Sequence, residues 1–331
     1  MAQTGPLNAL TDVPGIAVGH AEDRDLLTGA TVILPDRPAI AAVEVLGGGP
    51  GSRETEVLSP ASTVQEVHGI ALSGGSAFGL DAAGGAMDWL RAQGKGFDVA
   101  GQKVPIVPGA ILFDLTFGDA PQPQQPPWWQ LGRQAAEAAA PGAFTLGNAG
   151  AGLGARAAGL KGGVGTASCI WQGITVAALA VANPIGSVLI PGTRHFWAWP
   201  FEQAAEFGGL GPPAAMPRDL THDFSRPPGA STTLVVIATD AALSRAQAKR
   251  LAIMGHDGMA RAIRPVHTPL DGDTVFAMAT GTHALADPVN GLATLGMLGA
   301  DCVARAIARG VFEAQSLAGY PAWRDLPDPG N

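Results

Sequence analysis

Between Pro227 and Leu243 the chain reads PPGASTTLVVIATDAAL, which sets three hydroxyl residues, Ser231, Thr232 and Thr233, between a Pro-Pro-Gly-Ala turn and a strongly apolar run. A hydroxyl beside a suitable base is a nucleophile for acyl transfer. β-Branched threonine also suits the first positions of a strand, so the local residues leave both readings open. A second candidate is the triplet Asp271-Gly272-Asp273. In an extended segment carboxylates two apart face the same side, whereas before a strand the same triplet can be a plain turn.

Other chemistries fit poorly. The run GAGLGARAAG contains Gly150, Gly152 and Gly154 but misses the GxGxxG spacing, and no strand leads into it at βαβ distance. No GxxxxGK[ST] is present. The seven histidines (His20, His68, His195, His222, His256, His267 and His283) form no HExxH or HxH pair, and the DGD triplet lacks the remaining ligands of a calcium loop, so no metal is expected. The GGSAF segment around Ser76 has Phe78 where a nucleophile elbow needs its second glycine. Cys169 and Cys302 stand in no CxxC and read as small buried hydrophobes.

The elements that must position these residues are legible in outline. With 47% hydrophobic and 15% charged residues among 331, the chain is expected to fold around a sizeable core. A net charge of −8 without any Lys/Arg run argues against nucleic acid or an anionic membrane as partner. The N-terminus lacks a basic region followed by an apolar core, and no uninterrupted apolar run reaches membrane-spanning length; the expected compartment is the cytoplasm. GATVILP, AAVEVLG, GIALSG, VPIVPGAILFDL, SCIWQGITVAALAVANPIGSVLI, TTLVVIATDAAL and DTVFAMATG read as strands. Helices are expected from Ser76 through GKGF, over LGRQAAEAAA ending at Pro141-Gly142, over SRAQAKRLAIMGHDGMARAI with Ser244 as N-cap, and over PVNGLATLGMLGADCVARAIARGVFEA. DAPQPQQPPWWQ reads as a proline-rich surface loop and the segment from Arg194 to Ser225 as irregular. Neighbouring strands and paired helices predict an α+β layered sandwich in one domain, 1–331, rather than a doubly wound sheet.

Five motifs in order, LTDVPGIAVGH, GLKGGVGTAS, AVANPIG, STTLVVIATDAALSRAQAKRLA and RPVHTPLDGDTVFA, resemble the DmpA-like aminopeptidase and nylon-oligomer hydrolase family across nearly the whole chain. The resemblance implies an α-β-β-α sandwich of the DmpA/ornithine-acetyltransferase type. It also implies an N-terminal-nucleophile hydrolase that cuts its own backbone before Thr232. Ser231 would end a 231-residue large fragment, and Thr232 would open a 100-residue small one. Ser231 stands where Thr-nucleophile relatives often have Asn, and is the reserve nucleophile.

By the same resemblance, Lys161 holds the new α-amine neutral, Asn183 directs its amide at the developing oxyanion, and Asp271 and Asp273 hold the amine and the nucleophile's surroundings. An α-amine, which ordinarily titrates at about 7.7–8.0, can take the proton of its own residue's hydroxyl. Some relatives place a tyrosine donor in the strand matched by AILFDL, where this chain has Phe113. The expected substrates are short peptides, amino-acid amides or nylon-like oligomers, and no cofactor is implied. An inert binding homologue and an acyltransferase using the same nucleophile are the alternatives. The Gly/Ala-rich helix 291–310 and the aromatics of WWQ and HFWAWP suggest large interfaces, and relatives form tetramers, so a homotetramer is expected.

Overall fold

The computed structural model describes residues 2–119, 123, 125–222, 224 and 231–327. The expected Pro-Pro-Gly-Ala turn, residues 227–230, lies outside them. In chain order the strands and helices are β1 (Ile16–Asp23), β2 (Thr28–Pro35), β3 (Ala39–Val45), β4 (Ser52–Arg53), β5 (Glu66–Val67), β6 (Ile70–Ser73), α1 (Asp81–Ala92), β7 (Phe97–Val99), β8 (Gln102–Val104), β9 (Gly109–Ile111) and α2 (Trp128–Glu137). They continue with β10 (Arg156–Ala157), β11 (Leu160–Lys161), β12 (Gly163–Trp171), β13 (Ile174–Asn183), β14 (Thr232–Ala241), α3 (Arg245–Ala262), β15 (Thr274–His283) and α4 (Pro288–Phe312).

Two sheets carry the fold, one ordered β12-β13-β14-β15-β3-β5 and the other β1-β2-β6-β9-β4. Along β14 the alternation of side chains decides which layer each residue joins. Leu234, Val236 and Ala238 point between the sheets, where they meet Ile33, Leu72, Leu179 and Phe276. Val235 and Ile237 point the other way, into a cluster with Leu251, Val303 and Ile307 of α3 and α4. On the far side Val32 and Ala71 pack on Ala82, Ala86 and Leu90 of α1 and Leu131 and Ala135 of α2. The result is the four-layer α-β-β-α sandwich, and β14, covered on both faces, is buried along its whole length, with an apolar centre from Leu234 to Ala238.

Local signals account for the helices. Ser244 accepts from the Gln247 N–H and Gln247 returns the bond to the Ser244 N–H, a capping box at the start of α3. Asp287 caps α4 by accepting from Val289 and Asn290, with Pro288 at the first helical position. α4 is the one described helix long and apolar enough to cross a bilayer, but 72% of its apolar window is buried inside the fold.

One expectation is corrected, and two other groups of residues find a place in the packing. WWQ opens α2 rather than closing a loop, and Trp128 is buried with its Nε1 donating to Thr28 Oγ1 at 3.2 Å; only Trp129 is exposed. HFWAWP buries Phe196 against Phe207 and Trp323. The small residues of α4 serve packing within the chain, because β12 lies so close that a Cβ on Gly165 would meet Ala306 O at 2.0 Å. The crossover between β14 and β15 is also helical: these strands are parallel and α3 connects them.

Arg305, in the middle of α4, ties the layers together. Its Nε and Nη2 bind Glu206, Nη1 donates to Ser168 O at 3.0 Å and Nη2 to Asn8 Oδ1 at 2.8 Å. Both charged side chains are almost wholly buried, at 1% and 7% exposure. Arg305→Met leaves the Glu206 carboxylate with the Asn8 amide, the Gln203 N–H and, as its remaining cation among the described residues, Arg309 at 3.7 Å. We expect it to lower unfolding free energy by about 3–5 kcal/mol, measured by chemical denaturation; a loss near zero would mean that Glu206 finds another partner.

Candidate active site

The register of the larger sheet delivers most of the sequence-derived candidates to one of its ends. Asn183, the last residue of β13, pairs with Thr232, the first of β14. Gly163, which opens β12 two residues after Lys161, pairs with Ala182 beside Asn183. β14 and β15 run parallel from that same end, so the Asp271–Asp273 segment before β15 lies beside Ser231, and Ser231 and Asp271 form a parallel bridge.

Thr232 is buried, and its Oγ1 donates to the carbonyl oxygen of Ser231 at 2.5 Å. The same carbonyl accepts the Gly272 N–H at 3.0 Å. Two donors therefore polarise the peptide bond immediately before Thr232, and one of them is that residue's own hydroxyl. Gly272 has no room for a side chain: a Cβ there would meet Thr232 Oγ1 at 2.6 Å and Gly49 O at 2.9 Å. Thr233 projects to the other side of the strand. Its Oγ1 is buried without a hydrogen-bond partner among the described residues.

Asn183 is fully buried. Its Oδ1 accepts the Arg156 N–H at 2.8 Å, while Nδ2 has no partner among the described residues. A buried amide donor left unpaired costs about 1–3 kcal/mol, and this one belongs to the residue paired with Thr232.

Lys161 is no solvated loop residue. It is fully buried, and Nζ donates to Gly152 O, Ala155 O and Gly162 O, each at 2.9 Å. The glycine-rich run 150–154 is thus a carbonyl cradle for a cation, not a phosphate cradle. Three carbonyls match the three N–H bonds of an ammonium, but burial dominates and pushes the Lys161 pKa down to about 7; nearby Asp114 opposes that fall and Arg156 adds to it. Asp114, next to Phe113, is also buried. Burial pushes its pKa up to about 6, against hydrogen bonds from Thr28 Oγ1 and the Gly75 N–H, both at 2.7 Å.

Asp271 and Asp273 do different jobs. Asp271 accepts the Ile185 N–H at 3.0 Å on Oδ1 and the Thr268 hydroxyl at 2.6 Å on Oδ2, tying the end of β13 to the turn. Burial and then the charge of Asp273 raise its pKa. Asp273 Oδ1 accepts the Thr233 N–H at 2.7 Å, which fixes the peptide directly after Thr232. Its Oδ2 accepts from His267, through the backbone N–H at 3.1 Å and Nδ1 at 2.8 Å. The loop Leu46–Gly49 braces this turn by donating backbone N–H groups to Asp273 O, Thr268 O and Asp271 O.

The sequence therefore pointed to Thr232, Lys161, Asn183, Asp271 and Asp273, and missed Gly272, Asp114, Arg156 and His267. Gly272 was visible only as a spacer. His267 and His256 are eleven apart in sequence and come together through the turn after α3, a relation no spacing rule reports. Tyr320, the chain's single tyrosine, does not replace Phe113 in its strand. It enters from the C-terminal segment, stacks on Phe117 and accepts from Arg156 Nη1 at 3.2 Å.

Two sheets face to face between helical layers, with a hydroxyl at the head of a central strand, are the arrangement of an Ntn-hydrolase type of fold. The chain matches Peptidase family S58 over residues 8–323 and belongs to that family. It is 45% identical over 344 residues to an uncharacterized aminopeptidase of Mycobacterium tuberculosis, covering 97% of this chain and 98% of that one. It is 30% identical over 292 residues to a 6-aminohexanoate-oligomer endohydrolase of Paenarthrobacter ureafaciens, covering 81% and 74%. Among solved structures it is similar to a Burkholderia beta-aminopeptidase, with TM-score 0.68 and 24% identity over 96% of this chain and 91% of that one. The L-aminopeptidase D-Ala-esterase/amidase of Ochrobactrum anthropi, a variant of the Ntn hydrolase fold, has TM-score 0.65 and 23% identity over 95% and 88%.

The Lys161 cradle has a thermodynamic signature. A pKa of about 7 in the fold, against 10.5 for a freely solvated lysine, means that the unfolded chain binds more protons between those pH values. Stability contributed through this group therefore rises with pH across that window, by at most about 1.4 kcal/mol per pH unit. Denaturation of wild type and Lys161→Met from pH 6 to 10 should show a difference that grows with pH; a pH-independent difference would mean that Lys161 keeps its charge throughout.

Proposed function

We propose that the protein matures by cutting its own chain between Ser231 and Thr232 and then hydrolyses amide bonds with the freed Thr232 as nucleophile. The observation that carries this reading is the contact of Thr232 Oγ1 with the Ser231 carbonyl, whose oxygen also accepts the Gly272 N–H. In maturation Oγ1 attacks the Ser231 carbonyl carbon, the C–N bond to Thr232 breaks and the nitrogen takes the hydroxyl proton. The resulting ester is hydrolysed, leaving a carboxylate on Ser231 and an α-amine on Thr232. In turnover that amine accepts the Oγ1 proton as the hydroxyl attacks the substrate carbonyl and returns it to the leaving amine; water then hydrolyses the acyl ester on Thr232, releasing the acid and restoring the hydroxyl.

Lys161, across β13 from Thr232 and held close to its own deprotonation, disfavours a second positive charge on the amine. The unpaired Asn183 Nδ2 is the donor available to an oxyanion that forms opposite Thr232. Asp273 and Asp271 hold the backbone on either side. The substrate class is short peptides, amino-acid amides or nylon-like oligomers, supported by aminopeptidases and 6-aminohexanoate-oligomer hydrolases among the relatives. Assembly as a homotetramer belongs to the same reading and is supported by apolar side chains left exposed, among them Phe97, Val99, Trp129, Trp199 and Met297.

Wild type should separate under denaturing conditions into pieces of 231 and 100 residues, the smaller beginning with Thr232 on N-terminal sequencing. Thr232→Ala should stay one chain without amidase activity, and Thr232→Ser should still mature. An intact, long-incubated wild type would refute the mechanism, and a small fragment beginning with Ser231 would move the nucleophile by one residue. Asn183→Ala should slow both steps by on the order of a hundredfold. Thr233→Ala removes an unpaired buried hydroxyl and should leave maturation intact and stability unchanged or improved.

A further inference from the structure

Behind Asp273 the fold lines up a chain of polar groups that the hydrolytic reading does not use. His267 Nδ1 meets Asp273 Oδ2 at 2.8 Å, His267 Nε2 meets His256 Nδ1 at 3.3 Å, and His256 Nε2 meets the carbonyl oxygen of Glu44 at 3.1 Å. At its other oxygen Asp273 holds the Thr233 N–H. The chain thus runs without a gap from β3, through a side chain of α3 and the turn before β15, to the peptide that follows Thr232.

Counting protons decides what the chain contains. The carboxylate and the carbonyl at its ends are both acceptors, so the three hydrogen bonds between them require three N–H protons. Two neutral imidazoles supply two. His256 is the buried ring, at 3% exposure, and burial pushes its pKa down to about 4, so it stays neutral and its single N–H faces Glu44 O. Its Nδ1 is then an acceptor, and the bond from His267 needs a proton on Nε2 as well as the one that His267 Nδ1 gives to Asp273.

We propose that His267 is a positioning residue that carries protons on both ring nitrogens and, as an imidazolium, holds Asp273 on the Thr233 N–H. This deepens the hydrolytic reading and rests on it for the role of Asp273. The surroundings favour a cation at that point. Asp273 faces it from its own loop and neutral His256 from α3; Asp271 lies beyond Asp273 in the same loop, and Glu44 of β3 lies behind His256 with its carboxylate paired to Lys249 of α3. Without the imidazolium, two carboxylates flank Gly272 with no cation bonded to either among the described residues, and their repulsion acts on the residue whose N–H binds the Ser231 carbonyl. The backbone supports the arrangement: His267 adopts φ +54°, a left-handed conformation that histidine tolerates better than most residues and that brings its own N–H onto the same Asp273 oxygen.

The sign of the pH dependence follows. The doubly protonated ring completes the chain, so maturation and turnover both decline where rising pH removes its second proton. Histidine-15N NMR on the Thr232→Ala chain, with His267 assigned by connectivity to its backbone, reads the ring directly and needs no activity. Two protonated nitrogens at His267 at neutral pH are expected. A neutral ring there between about pH 6 and 8 overturns the proposal, including the case in which Asp273 carries the third proton instead. In the otherwise wild-type protein, His267→Gln and His267→Asn should lower kcat on the order of 10- to 100-fold with little change in KM, and should abolish the alkaline limb of the pH profile. An unchanged kcat and profile in both variants overturns it as well. Failure of the hydrolytic reading would show separately, as an uncut and inactive wild type whose His267 still reads as imidazolium.

Discussion

The parallel pairing of β14 with β15 is the constraint on which the site depends. Parallel strands cannot be joined by a tight turn, so the chain leaves the far end of β14, returns along α3 and starts β15 beside the start of β14. The heads of the two strands are brought together although about forty residues separate them. Antiparallel pairing then delivers the tails of β13 and β3 to the same place. Asn183, Thr232, the Asp271–Asp273 turn and the Leu46–Gly49 loop meet there for one topological reason. The Gly272 N–H to Ser231 O bond continues the ladder one rung past the named strands, so the geometry around the peptide before Thr232 inherits the stiffness of the sheet.

The polar content of this corner is costly to bury and is satisfied mainly by backbone. Lys161 is held by three carbonyls, Asp273 by backbone N–H groups of Thr233 and His267, and Asp271 by that of Ile185. Backbone partners have few alternative positions, so they fix side chains more firmly than flexible side-chain partners would. Asn183 Nδ2 and Thr233 Oγ1 are left out of this satisfaction: Asn183 is in register with Thr232, and Thr233 follows it with its side chain on the opposite face of the strand.

Much of the fold was legible because its signals are local. The apolar run after Thr233, the capping residue Ser244 and the long small-residue pattern of α4 each state an element in consecutive residues; the order of elements pointed to a layered α+β sandwich, and the α-β-β-α order of layers came from the family resemblance. The five site residues were legible through motifs, since the local evidence for Thr232, Asn183 and the DGD triplet was balanced by turn and strand readings. The shared surroundings of His256, His267 and Glu44 were not legible, because they come from α3, the following turn and β3, and no periodicity links them. The aromatics of WWQ and HFWAWP were misplaced for a related reason: Trp128 is hidden by Thr28, a hundred residues away.

The close contact between β12 and α4 has a consequence for anyone wishing to make this protein hardier. Replacing helical or loop glycines with alanine is a common stabilising device, since it restricts the unfolded chain. With 46 glycines this chain looks rich in opportunities. Yet a methyl on Gly165 would strike Ala306 O at 2.0 Å, one on Gly85 the Trp129 carbonyl at 1.8 Å, and one on Gly132 the Ala82 carbonyl at 1.9 Å. The layers are spaced by hydrogen atoms at these points, so heat tolerance must be engineered from the loops and the outer faces of the helices, with the glycines of the inter-layer contacts left as they are.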